Sequence, residues 1–360
     1  MDTVSFPQKK LIAWFQKHQR DLPWRVRRAP YSTWISEIML QQTQVQQVVP
    51  YYHRFMERFP NIRSLAKATI LEVLKVWEGM GYYSRARNLH QAAQIIVGRF
   101  AGKIPVDLQK LNELPGIGRS TAGAILSLAY NQPYAILDGN IRRVLIRFFN
   151  INQDSEKTTT IKKLWSLSQN ILPLQNAGLF NEALMELGAL ICTPKNPACS
   201  PCPLNRRCAG FSSGCPEALP VKKQKKPIPH FDVTAAVIQN GKKILITQRP
   251  EKGLLGGLWE FPGGKKEAGE SLEQCLKREI QEELNIEIRV GDRFMQVRHA
   301  YTHFKITLHC FFCRKLKGRI LPLGVKDFRW VYPDELEKFP FPRADQKVIE
   351  FLEKRNTLDV

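Results

Sequence analysis

The spacing of apolar residues changes once along this chain of 360 residues, and that change limits the fold more than any other feature. Up to about residue 209, apolar residues recur at three- and four-residue spacing, which predicts helices. From 210 to 230, four prolines and a run of lysines predict a linker. After His230, strand-like runs begin. We therefore expect a multidomain chain, all-α at 1–209 and α+β at 231–360.

The strand-like part contains one hairpin and one helix that the sequence places directly. The runs "FDVTAAVI" and "KKILITQR" are joined through "QNGK", and Asn-Gly favours a two-residue hairpin turn. Further strands are expected in "FKITLHCFFCRKL" and "DFRWVYP", and a helix is expected at 271–284.

The charge balance indicates a polyanionic partner. The chain has 54 Lys and Arg against 33 Asp and Glu, a formal net charge of +21. Such a surface binds phosphates by displacing counterions, so nucleic acid is favoured over the alternative that the charge only maintains solubility. The N-terminus lacks the pattern of a signal peptide, and no stretch has the length of a membrane helix. We expect a cytoplasmic protein that does not contact membranes.

Four of the eight cysteines fall in "CTPKNPACSPCPLNRRC". Clustered cysteines in a reducing compartment indicate a metal centre and not a disulfide framework. The spacing leaves zinc and an iron–sulfur cluster open. The other cysteines do not join the pattern, and those at 310 and 313 are expected in the core, on opposite faces of a strand. The expected ligands are Cys192, Cys199, Cys202 and Cys208.

Two carboxylates in the helical part are candidates for chemistry, and each has a structural alternative. Asp138 precedes a helix in "LDGNIRR", where capping is its commoner role. Glu37 lies in an apolar helical run, either at the surface or partly buried with the raised pKa that a general acid needs. The turn at Gly116 and Gly118 suits a DNA phosphate at a helix N-terminus, or simply joins two helices.

Several motifs taken together resemble one known family. They are "LPWR", "SEIMLQQTQV", "GMGYYSRARN", "LPGIGRSTAGAI", "ILDGNIRRV", "FNEALMELGALIC" and the four cysteines. They resemble the MutY adenine DNA glycosylases of the helix-hairpin-helix superfamily over 1–208, and more loosely to the end. The resemblance implies a six-helix barrel at about 29–135, a cluster subdomain at 1–28 plus 136–209, and an active site between these subdomains. It also implies a [4Fe–4S] cluster on the four cysteines.

The resemblance also implies roles for single residues. Cleaving the N-glycosidic bond needs an acid for the leaving base and an anion for the cationic sugar. Glu37 matches the acid, Asp138 matches the anion, and Asn140 is an orienting amide. Ser120 stands where bifunctional relatives have a lysine, so base removal without efficient strand cleavage is expected. Residues implied to line the adenine pocket are Arg25, Glu182 and Ser120. Residues implied to contact DNA are Gln42, Tyr82, Gly116, Gly118 and Arg142.

The second domain resembles the Nudix fold, which in the family recognises 8-oxoguanine opposite the adenine. Thr302 and His303 match the recognition loop, and Asp345 matches a residue that reads the purine edge in MutT. The Nudix box is nearly complete, with Asn285 in place of a glycine. Its candidate Mg²⁺ ligands are Glu270, Glu279, Glu282 and Glu283.

Three interpretations of these acids stay open. They serve metal-dependent phosphoanhydride hydrolysis, or they are an inherited scaffold for a lesion reader with Arg278 and nearby lysines satisfying them, or they form a solvated helix face.

The expected function is monofunctional removal of adenine opposite 8-oxoguanine or guanine in base excision repair. The alternative is an 8-oxo-dGTP pyrophosphohydrolase whose helical domain only binds DNA. The expected partner is double-stranded DNA carrying the mispair, the protein is expected to be a monomer, and a sliding-clamp contact lacks a supporting motif.

Overall fold

Helices form in the first half where the apolar spacing predicts them. A computed structural model describes residues 6–26, 28–221 and 227–356. No helix in these ranges is long and apolar enough to cross a membrane. The predicted all-α half is confirmed. Its helical segments are Gln8–His18, Pro23–Val26, Pro30–Leu40, Val45–Arg58, Ile62–Lys67, Ile70–Trp77, Ser84–Phe100, Leu108–Asn112, Arg119–Ala124, Ile125–Ala129, Gly139–Phe148, Thr158–Asn170, Ala177–Leu190, Asn205–Arg207, Ala209–Ser212 and Pro216–Ala218.

The contacts between residues divide the described chain into two compact units. The first unit contains residues 6–67 and 88–221, and the second contains 68–87 and 227–356. Residues 68–87 therefore pack with the C-terminal half although they lie within the helical sequence. The domain boundaries from sequence stay predictions.

The helix Ala177–Leu190 is central to the first unit. It contacts both Gln8–His18 and Gly139–Phe148. Phe15 and Phe180 are fully buried in this core, where each large apolar side chain contributes about 1.5 to 3 kcal/mol. This packing brings the acidic residues of Ala177–Leu190 next to the start of Gly139–Phe148.

The second unit is built on one mixed sheet. Its strands are β1 (His230–Asn240), β2 (Lys243–Gln248), β3 (Trp259–Glu260), β4 (Glu287–Ala300), β5 (Lys305–Lys317) and β6 (Asp327–Val331). The order is β3-β2-β1-β5-β4, and β6 also pairs with β2. The β1–β5 pair is parallel, and the other pairs are antiparallel. The predicted hairpin is present, with Gly241 in the left-handed region at φ 60°.

A helix covers each face of this sheet. The helix Leu272–Leu284 packs on one face through Leu276 and Ile280, and Arg343–Asn356 packs on the other. Cys310 and Cys313 lie in the cores of opposite faces, as the strand alternation predicts.

Part of the stretch predicted as a linker packs on the first unit. Leu219 is buried there, and its carbonyl accepts a hydrogen bond from Arg147 Nε at 2.9 Å. The lysine run at 222–226 lies outside the described residues.

Candidate active site

A cleft of about 900 Å³ in the first unit collects residues that are far apart in sequence. The predicted site residues that line it are Arg25, Glu37, Gln42, Ser120, Asp138, Asn140 and Glu182. The predicted DNA contacts Tyr82, Gly116, Gly118 and Arg142 are not among its lining residues. The cleft therefore unites the residues predicted for catalysis with those predicted to hold the base.

Glu37 lies in the wall of this cleft. Its helix, Pro30–Leu40, starts with a proline in the first turn, where the missing N–H costs little. Burial and, to a smaller extent, the nearby carboxyl groups of Asp138 and Glu182 together raise the pKa of Glu37 to about 8. The sequence left two alternatives for Glu37, at the surface or partly buried, and the structure shows the partly buried one. Glu37 is a protonated acid at neutral pH.

Asp138 is the N-cap of Gly139–Phe148, as expected, and its carboxylate also faces the cleft. Its Oδ1 accepts the Ile141 N–H at 2.7 Å. Burial raises the pKa of Asp138, while hydrogen bonds from Ile141 and Asn140 and the charge of Arg143 oppose that rise. Because these donors favour the ionised form, Asp138 is the better anion of the two carboxyl groups.

Arg143 connects this helix start to the cysteine segment. Its Nη2 donates to Asn140 Oδ1 at 2.9 Å and to the Gly188 carbonyl at 2.6 Å. Its Nε donates to the Cys192 carbonyl at 2.6 Å. Sequence reasoning missed Arg143, although it follows Asn140 by three residues and so shares its helix face.

An arginine–glutamate network forms another part of the cleft lining. Arg28 Nη2 lies 2.7 Å from Glu182 Oε2, and Arg25 Nε lies 3.4 Å from Glu182 Oε1. Burial raises the pKa of Glu182 although Arg28 and Arg25 oppose it. One turn later, burial opposes ionisation of Glu186, but hydrogen bonds from Arg20 and Arg25 outweigh it and lower its pKa to about 2. Glu186 therefore anchors Arg25.

The glycine turn lies beside the cleft. Gly116 has φ 78°, and a Cβ there would lie 2.9 Å from Asn88 Cβ, so a larger residue would be strained. Gly118 is the N-cap of Arg119–Ala124. Ser120 Oγ accepts the Leu137 N–H at 3.2 Å, which ties this helix to the residue before Asp138.

Two further predicted DNA contacts have different surroundings. Gln42 is exposed, with φ 58°. Arg142 Nη2 donates to Ser155 Oγ at 3.4 Å.

The four clustered cysteines surround one small cavity, of about 30 Å³. Burial raises the pKa of Cys202 to about 12 and also raises that of Cys208. Backbone N–H groups of Leu204 and Phe211 hydrogen-bond to these two sulfurs and favour the thiolates. Thiols that resist ionisation but face such donors suit a metal centre, which would deprotonate them.

Arg147 supports this cysteine segment from the core. It is 2% exposed, and its Nη1 donates to Cys192 Sγ at 3.4 Å and to the Thr193 carbonyl at 2.7 Å. A buried cation beside the sulfur stabilises a thiolate. The set of four sulfurs, N–H donors and guanidinium therefore fits a metal centre that binds thiolates. No three His, Cys, Asp or Glu side chains in the described ranges are grouped to hold one metal ion.

In the second unit, Arg278 pairs with most of the Nudix-box acids. It lies 2.8 Å from Glu270, 3.0 Å from Glu279 and 3.1 Å from Glu282. Asn285 adopts the left-handed conformation at φ 55° and ends the helix, as the replaced glycine would. Arg278 carries one positive charge against three carboxylates, so it offsets their mutual repulsion in part, as the scaffold interpretation expects.

A separate cavity of about 430 Å³ lies in this unit. Glu279 and Glu283 reach it, together with Glu260 and Asp345. Burial and the charge of Glu260 raise the pKa of Glu283 to about 8 and that of Asp345 to about 7. Sequence reasoning missed Glu260, which belongs to the short strand β3.

Two residues predicted on separate grounds to read DNA are in contact. The hydroxyl groups of Tyr82 and Thr302 are hydrogen-bonded, and both residues belong to the second unit. Tyr82 is 36% exposed and has φ 49°. His303 is exposed beside Thr302.

Comparison with known proteins decides the family. An adenine DNA glycosylase of Buchnera aphidicola subsp. Acyrthosiphon pisum is 35% identical over 351 residues, covering 96% of this chain and 97% of the relative. The human adenine DNA glycosylase is 34% identical, covering 94% of this chain and 72% of the relative. The chain belongs to the adenine DNA glycosylase family. The predicted adenine-specific DNA glycosylase activity in base excision repair is confirmed at this level, and the pyrophosphohydrolase alternative is not favoured.

Domain families and solved structures agree with this family. Residues 35–170 match the HhH-GPD superfamily of base excision DNA repair proteins, and residues 233–351 match the NUDIX domain. A thermostable thymine-DNA glycosylase has a TM-score of 0.53 and 28% identity, covering 57% of this chain and 95% of that one. Endonuclease III trapped on DNA has a TM-score of 0.50 at 21% identity, covering 57% and 94%, which shows the shared fold.

Gly188 allows a close approach of its helix to Asn140, the residue predicted to be an orienting amide. A Cβ at Gly188 would lie 2.6 Å from Asn140 Cβ. We expect Gly188→Ala to displace Asn140 and to slow adenine release by about 10- to 100-fold. Gly98→Ala is the control, since Gly98 lies in a helix with open space around it. Equal single-turnover rates for Gly188→Ala and the wild type would contradict the role of this contact.

Proposed function

We propose that this glycosylase hydrolyses the N-glycosidic bond of adenine opposite 8-oxoguanine or guanine, with Glu37 and Asp138 as its catalytic carboxyl groups. The observation that carries the proposal is that both line one cleft, where burial raises the pKa of each and hydrogen bonds and the charge of Arg143 oppose that rise at Asp138. Burial holds the proton on Glu37, whereas hydrogen bonds favour the anion at Asp138.

Glu37 protonates the leaving adenine. Adenine departs more readily when a ring nitrogen is protonated, because the departing base then carries no negative charge. Once it has lost its proton, the Glu37 carboxylate accepts one from the attacking water. The proton given to the base is thereby replaced within each turnover.

Asp138 stabilises the sugar while the bond breaks. The positive charge that develops on the sugar is offset by the fixed carboxylate. Asn140 hydrogen-bonds to Asp138, and Arg143 holds Asn140 in place. This arrangement needs little reorganisation during the reaction.

Adenine reaches the cleft only after leaving the base stack. The pair of Arg25 and Glu182 offers donors and acceptors to its edge, and Glu186 fixes Arg25. Gln42 and the backbone of the turn at Gly116 and Gly118 contact the DNA strand. Ser120, whose hydroxyl accepts the Leu137 N–H, forms no Schiff base, so the enzyme is monofunctional.

The four cysteines hold a [4Fe–4S] cluster. Their sulfurs surround one cavity, and Arg147 and backbone N–H groups are directed at them. When bound, such a cluster would supply metal–sulfur bonds that hold residues 192–208 together. Through Arg143, these residues support Asn140 and the catalytic helix start.

The second unit acts as a lesion reader. Tyr82 and Thr302 together present one hydroxyl-bearing surface, with His303 beside it, for the base opposite adenine. Arg278 forms ion pairs with three of the Nudix-box acids, as the scaffold interpretation expects.

Single-turnover assays on a panel of duplexes test this function. We expect adenine release from A opposite 8-oxoguanine to be faster than from A opposite guanine, and both to be much faster than from A opposite thymine. The product should be an abasic site on an intact strand. Release without preference for the opposite base, or strand cleavage at the rate of base release, would contradict the proposal.

A further inference from the structure

Residues 68–87 carry Tyr82 and are anchored to the second unit at several points. The helix Ile70–Trp77 starts with a capping box between Thr69 and Glu72. Leu71 on this helix packs against the core of the NUDIX domain. The helix is therefore a structural part of the unit that carries Thr302.

Glu78 and Lys75, which we call the clasp, hydrogen-bond to residues 339–341 at the end of this helix. Glu78 Oε1 accepts the Phe341 N–H at 2.7 Å, and Glu78 Oε2 accepts from Lys75 Nζ at 2.6 Å. Lys75 Nζ also donates to the Phe339 carbonyl at 3.2 Å. The Glu78 side chain is 16% exposed, so its charge-assisted bonds are partly shielded from water.

The clasp is hydrogen-bonded to a well-packed part of the NUDIX domain. Phe341 is fully buried, and its ring centroid lies 5.7 Å from that of Phe261. Phe339 packs on Trp259 with ring centroids 5.0 Å apart. Residues 339–341 therefore form a fixed support for the end of the helix.

Hydrogen bonds restrict the backbone conformation between Glu78 and Tyr82. Gly79 N–H donates to Tyr83 Oη at 3.0 Å, and the Gly81 carbonyl accepts Trp77 Nε1 at 3.1 Å. Beyond Tyr82, Arg87 Nη1 donates to the Gly256 carbonyl at 2.6 Å. A tight turn that is held at both ends transmits the position of Glu78 to the Tyr82 ring.

We propose that Glu78, assisted by Lys75, is a positioning residue that holds Tyr82 against Thr302 and thereby determines how strongly the enzyme prefers 8-oxoguanine to guanine opposite adenine. The proposal rests on the function assigned above to Tyr82 and Thr302. Glu78 does not touch the reacting atoms, so its effect is on recognition and not on the cleavage of the bond.

Glu78→Ala tests the clasp in the full-length enzyme, because it removes both bonds. Losing an acceptor with charge-assisted bonds should reduce the ratio of single-turnover rates for A:8-oxoguanine over A:guanine by about tenfold. Glu78→Gln retains an acceptor for the Phe341 N–H and should restore the ratio to within about threefold of the wild type. Lys75→Met, which keeps the apolar stem, should have a similarly small effect.

Glu273→Gln is the matched control. Glu273 forms an exposed ion pair with Lys277 at 2.7 Å on another helix of the same unit, and its loss should leave the ratio unchanged. If Glu78→Ala is too unstable to purify, the double variant Glu78→Gln/Lys75→Met replaces it, because it removes the charges of both residues; it should lower the ratio by about three- to tenfold, and an unchanged ratio would overturn the proposal. Equal losses of rate on both duplexes in Glu78→Ala would overturn it too, because that pattern marks general destabilisation.

Thr302→Ala separates this proposal from the function on which it rests. If Thr302→Ala abolishes the preference for 8-oxoguanine but Glu78→Ala retains it, only the positioning role of Glu78 is overturned. A wild-type enzyme with no preference would overturn both. A reduced ratio in Thr302→Ala and in Glu78→Ala, restored by Glu78→Gln, is the result we expect.

Discussion

Glu37→Gln should abolish adenine release, slowing the single-turnover rate by about a thousandfold or more. Glutamine has the size of glutamate but cannot donate an acidic proton to the leaving base. Burial raises the pKa of Glu37 to about 8, so the wild-type rate should fall as pH rises above 8. Glu57→Gln, an exposed position, is the control for the exchange itself.

The same substitution should stabilise the folded protein. The pKa of Glu37 is about 8 in the folded state against a model value of 4.5. Folding therefore favours the proton, and its stabilising effect is lost as pH rises from about 4.5 through about 8. Near pH 7, Glu37→Gln should be more stable than the wild type by on the order of 2 to 3 kcal/mol.

Thermal melting from pH 5 to 9 measures this effect. The advantage of Glu37→Gln should grow between about pH 5 and 8 and then level off. A variant that releases adenine at the wild-type rate, or a stability difference that does not change with pH, would show that Glu37 is not a buried acid.

Asp138→Asn should slow adenine release by about 100- to 1000-fold while the protein stays folded. Asparagine keeps an oxygen that caps the Ile141 N–H but loses the negative charge that faces the cationic sugar. The rate of adenine release therefore measures the effect of the Asp138 charge, and the melting temperature measures the effect of the helix cap.

Asp107→Asn is a matched control for Asp138→Asn. Asp107 caps the helix Leu108–Asn112 through the Lys110 N–H at 2.8 Å and is exposed outside the cleft. Asp107→Asn should have the melting temperature and the rate of adenine release of the wild type. If Asp138→Asn stays fully active and only Asp138→Ala loses stability, Asp138 is a cap without a catalytic role.

Features that depend on neighbours in sequence were predictable. The Asn-Gly hairpin before Lys243, the capping position of Asp138 and the left-handed Asn285 all follow from local backbone preferences. The opposite faces of Cys310 and Cys313 follow from strand alternation alone. Each of these features needs information from only a few residues.

The site residues required more than local pattern. Glu37 and Asp138 each had a commoner structural role, and the motifs of a known family singled them out. Arg143 and Glu186 were missed because their partners, among them Cys192 and Arg20, are distant in sequence. A charged residue on a helix acquires a specific role only when tertiary packing brings its partner within hydrogen-bond distance.

By itself, the sequence determined the two fold classes, the clustered cysteines and the family, because apolar period, ligand spacing and motif order are properties of the chain. Only the tertiary structure decided that Glu37 is buried beside two other carboxyl groups, since the pKa depends on the surroundings that packing creates. It alone joined residues 68–87 to the C-terminal unit through Glu78, because that contact spans 263 residues of sequence and is set by the shape of the folded core.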